Sequence, residues 1–126
     1  MPIAYLQIVS VPVSDQDRAK DFYVNALGWD LLSDEGYEMG GATLRWLEVR
    51  PPNGQTAITL VAADDVKAGT MTGMILRSMD LSATVAELTS RGVVLSDEVR
   101  ETPWAKYTRF EDPDGNAWTV QEVRTR

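Results

Sequence analysis

The side chains available for chemistry are carboxylates, hydroxyls, guanidinium groups and aromatic rings. The chain of 126 residues contains neither histidine nor cysteine. That excludes an imidazole base, imidazole or thiolate metal ligands, a cysteine nucleophile and a disulfide. Carboxylates are plentiful, 19 against 12 lysines and arginines, yet their spacing sets up no acid–base pair. Glu122 alternates with Trp118 and Val120, which reads as an edge carboxylate in water or in an ion pair. Glu38, Glu48 and Glu111 have no partner fixed by spacing, and Asp64-Asp65 reads as a solvated loop. No catalytic residue emerges from this pattern. Aromatic residues point to binding instead. Of the four tryptophans, Trp29 follows a helix and Trp118 shares a face with Val120, so both read as core. Trp104 lies in a loop after Pro103, where a ring can lid a planar ligand or close a subunit interface. Tyr107 and Phe110 have opposite parity on one strand, so one of them faces a cleft. The pattern does not say which, nor which face Trp46 occupies.

Composition bounds the partners. The formal charge of -7 repels phosphate backbones, so no nucleic-acid partner is expected. No apolar run approaches the ~20 residues of a membrane span, and no signal-peptide pattern opens the chain. A cytoplasmic protein without a membrane partner is the expectation.

The elements that must position these residues come in two similar sets. Pro2 to Pro12 is strand-like, with Val9, Val11 and Val13 on one face and Ile8, Ser10 and Pro12 on the other. Pro12 argues for a sheet edge or the strand's last turn. Ser14 or Asp15 then caps a helix whose face carries Ala19, Phe22, Tyr23, Ala26 and Leu27, and Gly28 ends it. Trp29 to Leu32 reads as a short return strand, and Ser33 to Gly41 as a stretch of turn formers. Gly40-Gly41 lacks the spacing of a nucleotide-binding loop. Ala42 to Arg50 and Gln55 to Ala62 read as strands around the turn Pro51-Pro52-Asn53-Gly54. The order then repeats. Gly73 to Met79 is a strand, Asp80 caps a helix bearing Leu81, Val85 and Leu88, and Gly92 stops it. Val93 to Val99 is strand-like. Ala105 to Glu111 and Ala117 to Val123 pair across Asp112-Pro113-Asp114-Gly115-Asn116, a motif that turn formation alone explains.

Punctuation aligns the halves: Gly28 and Gly92 lie 64 residues apart, Asp15 and Asp80 65, Pro52 and Pro113 61. The expected fold class is α+β. It has two tandem βαβββ units, about 1–64 and 73–126, in a single domain, with Val66 to Thr72 as the linker. Each sheet packs one face on its helix, and the other faces curve into a mixed sheet around a cleft, helices outside.

The stretches VSVPVSDQDRAKDFYVNALGW, RWLEVRPPNG and FEDPDGNAWTVQEV resemble the vicinal oxygen chelate superfamily, which includes glyoxalase I-like enzymes, bleomycin-resistance proteins, fosfomycin-modifying enzymes and extradiol dioxygenases. The resemblance spans nearly the whole chain and implies that ligands sit on the open sheet face. Its enzymes usually hold a divalent metal there, at positions falling on Ile8, Thr59, Gly73 and Thr119. Isoleucine and glycine side chains cannot ligate, and threonine hydroxyls are weak ligands without carboxylates, so no metal and no cofactor are expected. The same resemblance places Ile8, Ser10, Thr59 and Val61 on the open face of one unit and Ile75, Arg77, Thr119 and Gln121 on that of the other. A guanidinium at Arg77 could grip a carboxylate or phosphate, or stack on a ring.

The ligand-binding candidates are therefore Ile8, Ser10, Thr59, Arg77, Trp104, Tyr107, Thr119 and Gln121. The expected function is metal-independent binding or sequestration of a small, partly aromatic or amphipathic molecule by a homodimer. Two alternatives stand beside it: a glyoxalase-like isomerase, lyase or dioxygenase with an atypical or absent metal site, and an auxiliary protein-interaction module.

Overall fold

Alternating apolar residues build two four-stranded mixed sheets in this computed structural model, which describes residues 2–62 and 67–124. The chain divides into two compact units, Met1–Ala68 and Gly69–Arg126. Each is a βαβββ unit. The expected loop at Asp64-Asp65 and the start of the expected linker at Val66 lie outside the described residues.

In the first unit, β1 (Ile8–Pro12) leads to a helix, then to β2 (Asp30–Met39), β3 (Ala42–Arg50) and β4 (Ala57–Val61). The sheet order is β1-β4-β3-β2, with β1 parallel to β4 and the rest antiparallel. Pro12 is tolerated because β1 is an edge strand. The helix begins as α1 (Gln16–Lys20), where Asp15 is the cap and its Oδ1 accepts a hydrogen bond from the Arg18 amide at 3.0 Å. It continues as a π-helical segment (Asp21–Ala26), and Gly28 leaves it with a φ of 75°. Register puts Val11, Leu60, Leu47 and Val49 on one sheet face. All four are buried, as are Ala19, Tyr23 and Leu27 of the helical stretch. Trp29 joins this core, its ring 5.3 Å from that of Tyr23.

The helix is also tied down by charge. Arg45 projects from the helix side of β3 and donates to Asp34 Oδ1 and Oδ2 at 2.7 and 3.0 Å and to Asp17 of α1 at 2.7 Å. Lys20 of α1 donates to Asp34 at 2.8 Å. The Arg45 and Lys20 bonds hold the Asp34 carboxyl well below the usual carboxylate range, and the carboxylates push the Arg45 guanidinium further up.

The second unit repeats the plan with β5 (Met74–Arg77), α2 (Leu81–Ser90), β6 (Arg100–Glu101), β7 (Ala105–Glu111) and β8 (Ala117–Val123). Its sheet order is β5-β8-β7-β6, with β5 parallel to β8. Trp118, Val120, Phe110 and Thr108 share the core face by register and are buried, as are Leu81 and Leu88 of α2. The Phe110 and Trp118 rings stack with centroids 6.4 Å apart. Phe110 is thus core, and Tyr107 takes the opposite face. Asp80 caps α2 through the Ala83 amide at 3.1 Å. Glu122 accepts from the Leu81 amide at 2.8 Å and pairs with Lys106 at 3.7 Å, so this carboxylate fastens the helix start to β8. Asp112 and Asn116 are buried, with Asp112 Oδ1 accepting from the amides of Asp114 and Asn116. Asp112 Oδ2 accepts from Asn116 Nδ2, and Asn116 Oδ1 from the Met71 amide.

Four expected segments are corrected. Ser33 to Gly41 is not a run of turns. Strand β2 continues to Met39 and only Gly40-Gly41 turn the chain, with φ of 61° and 80°, the left-handed pair of a tight hairpin. Cross-strand pairing with β3 carries these polar residues into a ladder despite their weak strand preference. Val93 to Val99 is not a strand. It is pinned by a bridge from Leu95 to Phe110, the Ser96 amide on the Arg109 carbonyl, and the Thr108 hydroxyl on the Asp97 carbonyl. Those bonds replace a ladder, and pairing resumes at Arg100. Strand β1 starts at Ile8 rather than Pro2, leaving Ile3, Tyr5 and Leu6 exposed. Strand β5 is confined to Met74–Arg77, since Gly73 has a φ of 81° and Ser78 is turned into a bond with Thr84. No helix among the described residues is long and apolar enough to cross a membrane.

Candidate functional site

Each sheet has a face turned away from its helix, and register determines what that face carries. In the first unit, Ser10, Thr59 and Glu48 lie side by side across β1, β4 and β3. Trp46 follows two residues along β3, directly opposite Glu35 of β2. Tyr37 and Met39 continue the same face because strand side chains alternate. Glu35, Tyr37, Met39 and Trp46 line an open depression of about 380 Å³. Its character is mostly apolar and aromatic, with a carboxylate at one side. Trp46 is 37% exposed, and its indole Nε1 donates to Glu48 Oε1 at 3.0 Å, which fixes the ring's orientation. The face of Trp46 is thereby settled as the open one. Arg50 shares this face by alternation, and its Nε is buried without a hydrogen-bond partner, a costly arrangement unless another group satisfies it.

The expected residues of this unit, Ile8, Ser10 and Thr59, are brought together on that face. Ile8 is half-buried and Ser10 exposed. Thr59 is only 2% exposed, and its hydroxyl donates to the Ser10 hydroxyl at 3.1 Å.

In the second unit, Arg77, Gln121, Tyr107 and Arg100 form one row across β5, β8, β7 and β6. The adjacent row holds Ile75, Thr119 and Arg109. Four expected residues, Arg77, Tyr107, Thr119 and Gln121, are thus neighbours on one face. Trp104 is on the loop before β7, 56% exposed, its carbonyl accepting from the Arg124 amide. Sequence reasoning missed Glu35, Tyr37, Met39, Arg100 and Arg109. The available signal was Gly-Gly between two alternating runs, the mark of a hairpin, which would have aligned Glu35 with Trp46.

The metal positions implied by family resemblance do not suit a divalent cation. Ile8 offers hydrocarbon, Gly73 no side chain, and the Thr59 hydroxyl is committed to Ser10. Among the described residues no three histidine, cysteine, aspartate or glutamate side chains converge on one point.

Residues 5–120 match the model of the Glyoxalase/Bleomycin resistance protein/Dioxygenase superfamily. The chain belongs to that superfamily. Among solved structures it is similar to TnmS3, an antibiotic binding protein from Streptomyces sp. CB03234. That match has 41% identity and a TM-score of 0.87, covering 98% of this chain and 99% of the other. It is also similar to a superfamily member from Sphaerobacter thermophilus DSM 20745, with 35% identity, a TM-score of 0.85 and coverage of 97% and 99%. Uncharacterized protein YetH of Bacillus subtilis (strain 168) is 26% identical over 122 residues, covering 95% of this chain and 99% of YetH.

Proposed function

We propose that this glyoxalase-superfamily protein binds a small, partly aromatic or amphipathic molecule, of the kind typified by natural-product antibiotics, without a metal and without transforming it. The observation that carries this reading is the aromatic depression formed by Trp46, Tyr37, Met39 and Glu35 on the open face of the first sheet. An oriented indole, a phenol and a thioether supply apolar affinity, and Glu35 and Glu48 supply polar anchors. Ile8, Ser10 and Thr59 extend the same face; on the second unit taken by itself, Arg77, Tyr107, Thr119, Gln121 and Trp104 are the residues proposed for ligand contact. The 41% identity to an antibiotic binding protein supports the ligand class.

Homodimerisation in the cytoplasm is part of the proposal. The dimer is supported by the exposed apolar side chains Ile3, Tyr5 and Leu6 ahead of β1, and light scattering of the purified protein tests it. The functional test is a tryptophan-fluorescence titration with a panel of aromatic antibiotics, for the native sequence and for Trp46→Ala. Saturable quenching is expected, with affinity about tenfold weaker in the variant. No saturable binding across the panel, or equal affinity in Trp46→Ala, overturns the reading.

A further inference from the structure

Several cations of this acidic chain are spent on internal pairs. Arg45, Lys20, Arg91, Lys106 and Arg124 each reach a carboxylate. Arg77 and Arg100 do not. Both are exposed on the open face of the second sheet, and among the described residues neither side chain has an ion-pair or hydrogen-bond partner. Arg109, in the adjacent row, is held only by a 3.9 Å approach to Asp97 and keeps 55% of its side chain exposed. Glu111, at the far end of β7, is the carboxylate that shares this face by alternation. In a chain with a formal charge of -7, three guanidinium groups gathered on one face make it a local cationic patch.

Their spacing is informative. Arg77 and Arg100 sit at opposite ends of one cross-strand row, about 14 Å apart at the backbone from the usual interstrand distance. Gln121 and Tyr107 lie between them. Extended arginine side chains can lean inward over that gap, with the Tyr107 ring beneath and the Gln121 amide as a further donor. Ile75, 60% exposed in the next row, adds apolar surface.

We propose that this face recognises a planar aromatic ligand bearing an anionic oxygen group, a carboxylate or its equivalent, gripped by Arg77 and Arg100 while the ring lies against Tyr107. This deepens the binding-protein reading, and rests on it, by naming the ligand's charge. Guanidinium forks match carboxylate oxygens in pairs, and a stacked ring between them uses the arginine faces as well.

The test uses 2-naphthoate, its neutral isostere 2-naphthamide, and inorganic phosphate, in calorimetric titrations at low salt. Naphthoate is expected to bind about tenfold tighter than naphthamide. Arg77→Ala and Arg100→Ala should each remove most of that preference, weakening naphthoate far more than naphthamide, while Arg→Lys at either position restores only part of it. Both positions are exposed, and an unchanged melting temperature verifies the fold. Equal affinity for the two naphthyl probes, or a preference surviving in the double alanine variant, overturns the arginine assignment alone. Phosphate displacing naphthoate at equal concentration overturns the aromatic part. Failure of both naphthyl probes to bind overturns this inference and leaves the binding-protein reading to its own antibiotic titration.

Discussion

The two units follow one strand order and one chain order of helix and strands, but they finish their sheets differently. The first extends its third and fourth sheet positions into the long hairpin of β3 and β2, closed by Gly40-Gly41. The second cuts the equivalent hairpin short, with β6 only two residues long and the preceding segment pinned by isolated bonds. The long hairpin gives the first unit enough surface for an aromatic depression beside two carboxylates. The short one leaves a face crossed by arginines. Identical topology therefore sets where the open sheet face lies, while hairpin length and a few alternating residues set its chemistry.

Fastening differs too. In the second unit the Asp112–Asn116 turn is locked against Gly69, which has a φ of 80° and where a Cβ would overlap the Asp114 carbonyl oxygen. Gly69→Ala should therefore cost at least about 2 kcal/mol of stability in urea unfolding. A loss below that of Gly41→Ala would break the contrast between a locked turn and an open one.

The first unit leans instead on Asp34. Asp34→Asn should cost about 1–2 kcal/mol at pH 7, a figure reduced for solvent screening because the group is partly exposed. Because folding depresses this carboxyl's pKa, its stabilisation is present above about pH 4, the ordinary aspartate value. It is lost as pH falls below that toward the folded value. Unfolding curves of both forms should converge on acidification; a gap of constant size across that range contradicts the assigned role.

Gly41→Ala is the smallest effect. Gly41 has a φ of 80° with nothing within 4 Å of an added Cβ, so only backbone strain is incurred, about 1 kcal/mol. A larger loss would mean that the hairpin turn is as constrained as the Gly69 contact.

The sequence was most readable where alternation and turn chemistry agreed. The bounds of β7 and β8 followed from alternating Trp118 and Val120 and from the proline and glycine between the strands. Both helices followed from their aspartate caps and stopping glycines. It was least readable where pairing overrides composition. Ser33, Asp34, Glu35 and Gly36 are turn formers or poor strand formers, and only the partner strand makes them β. With that strand hidden, Glu35, Tyr37 and Met39 could not be placed opposite β3, and the depression around Trp46 went unseen. Conversely, Val93-Val94-Leu95 has strand composition, but Leu95 makes a bridge rather than a ladder. The arginine row was half readable: Arg77 stood out, whereas Arg100 needed the register of β6 on β7.

The central claim is that the protein holds its ligand without a metal and returns it intact. It is tested most directly by equilibrating the protein with a panel member that quenches Trp46, in the presence of EDTA and then of added zinc, and recovering the small molecule for mass analysis. The account predicts the same affinity in both conditions and an unaltered mass. Affinity lost to the chelator and restored by zinc, or recovery of a transformed molecule, would contradict it.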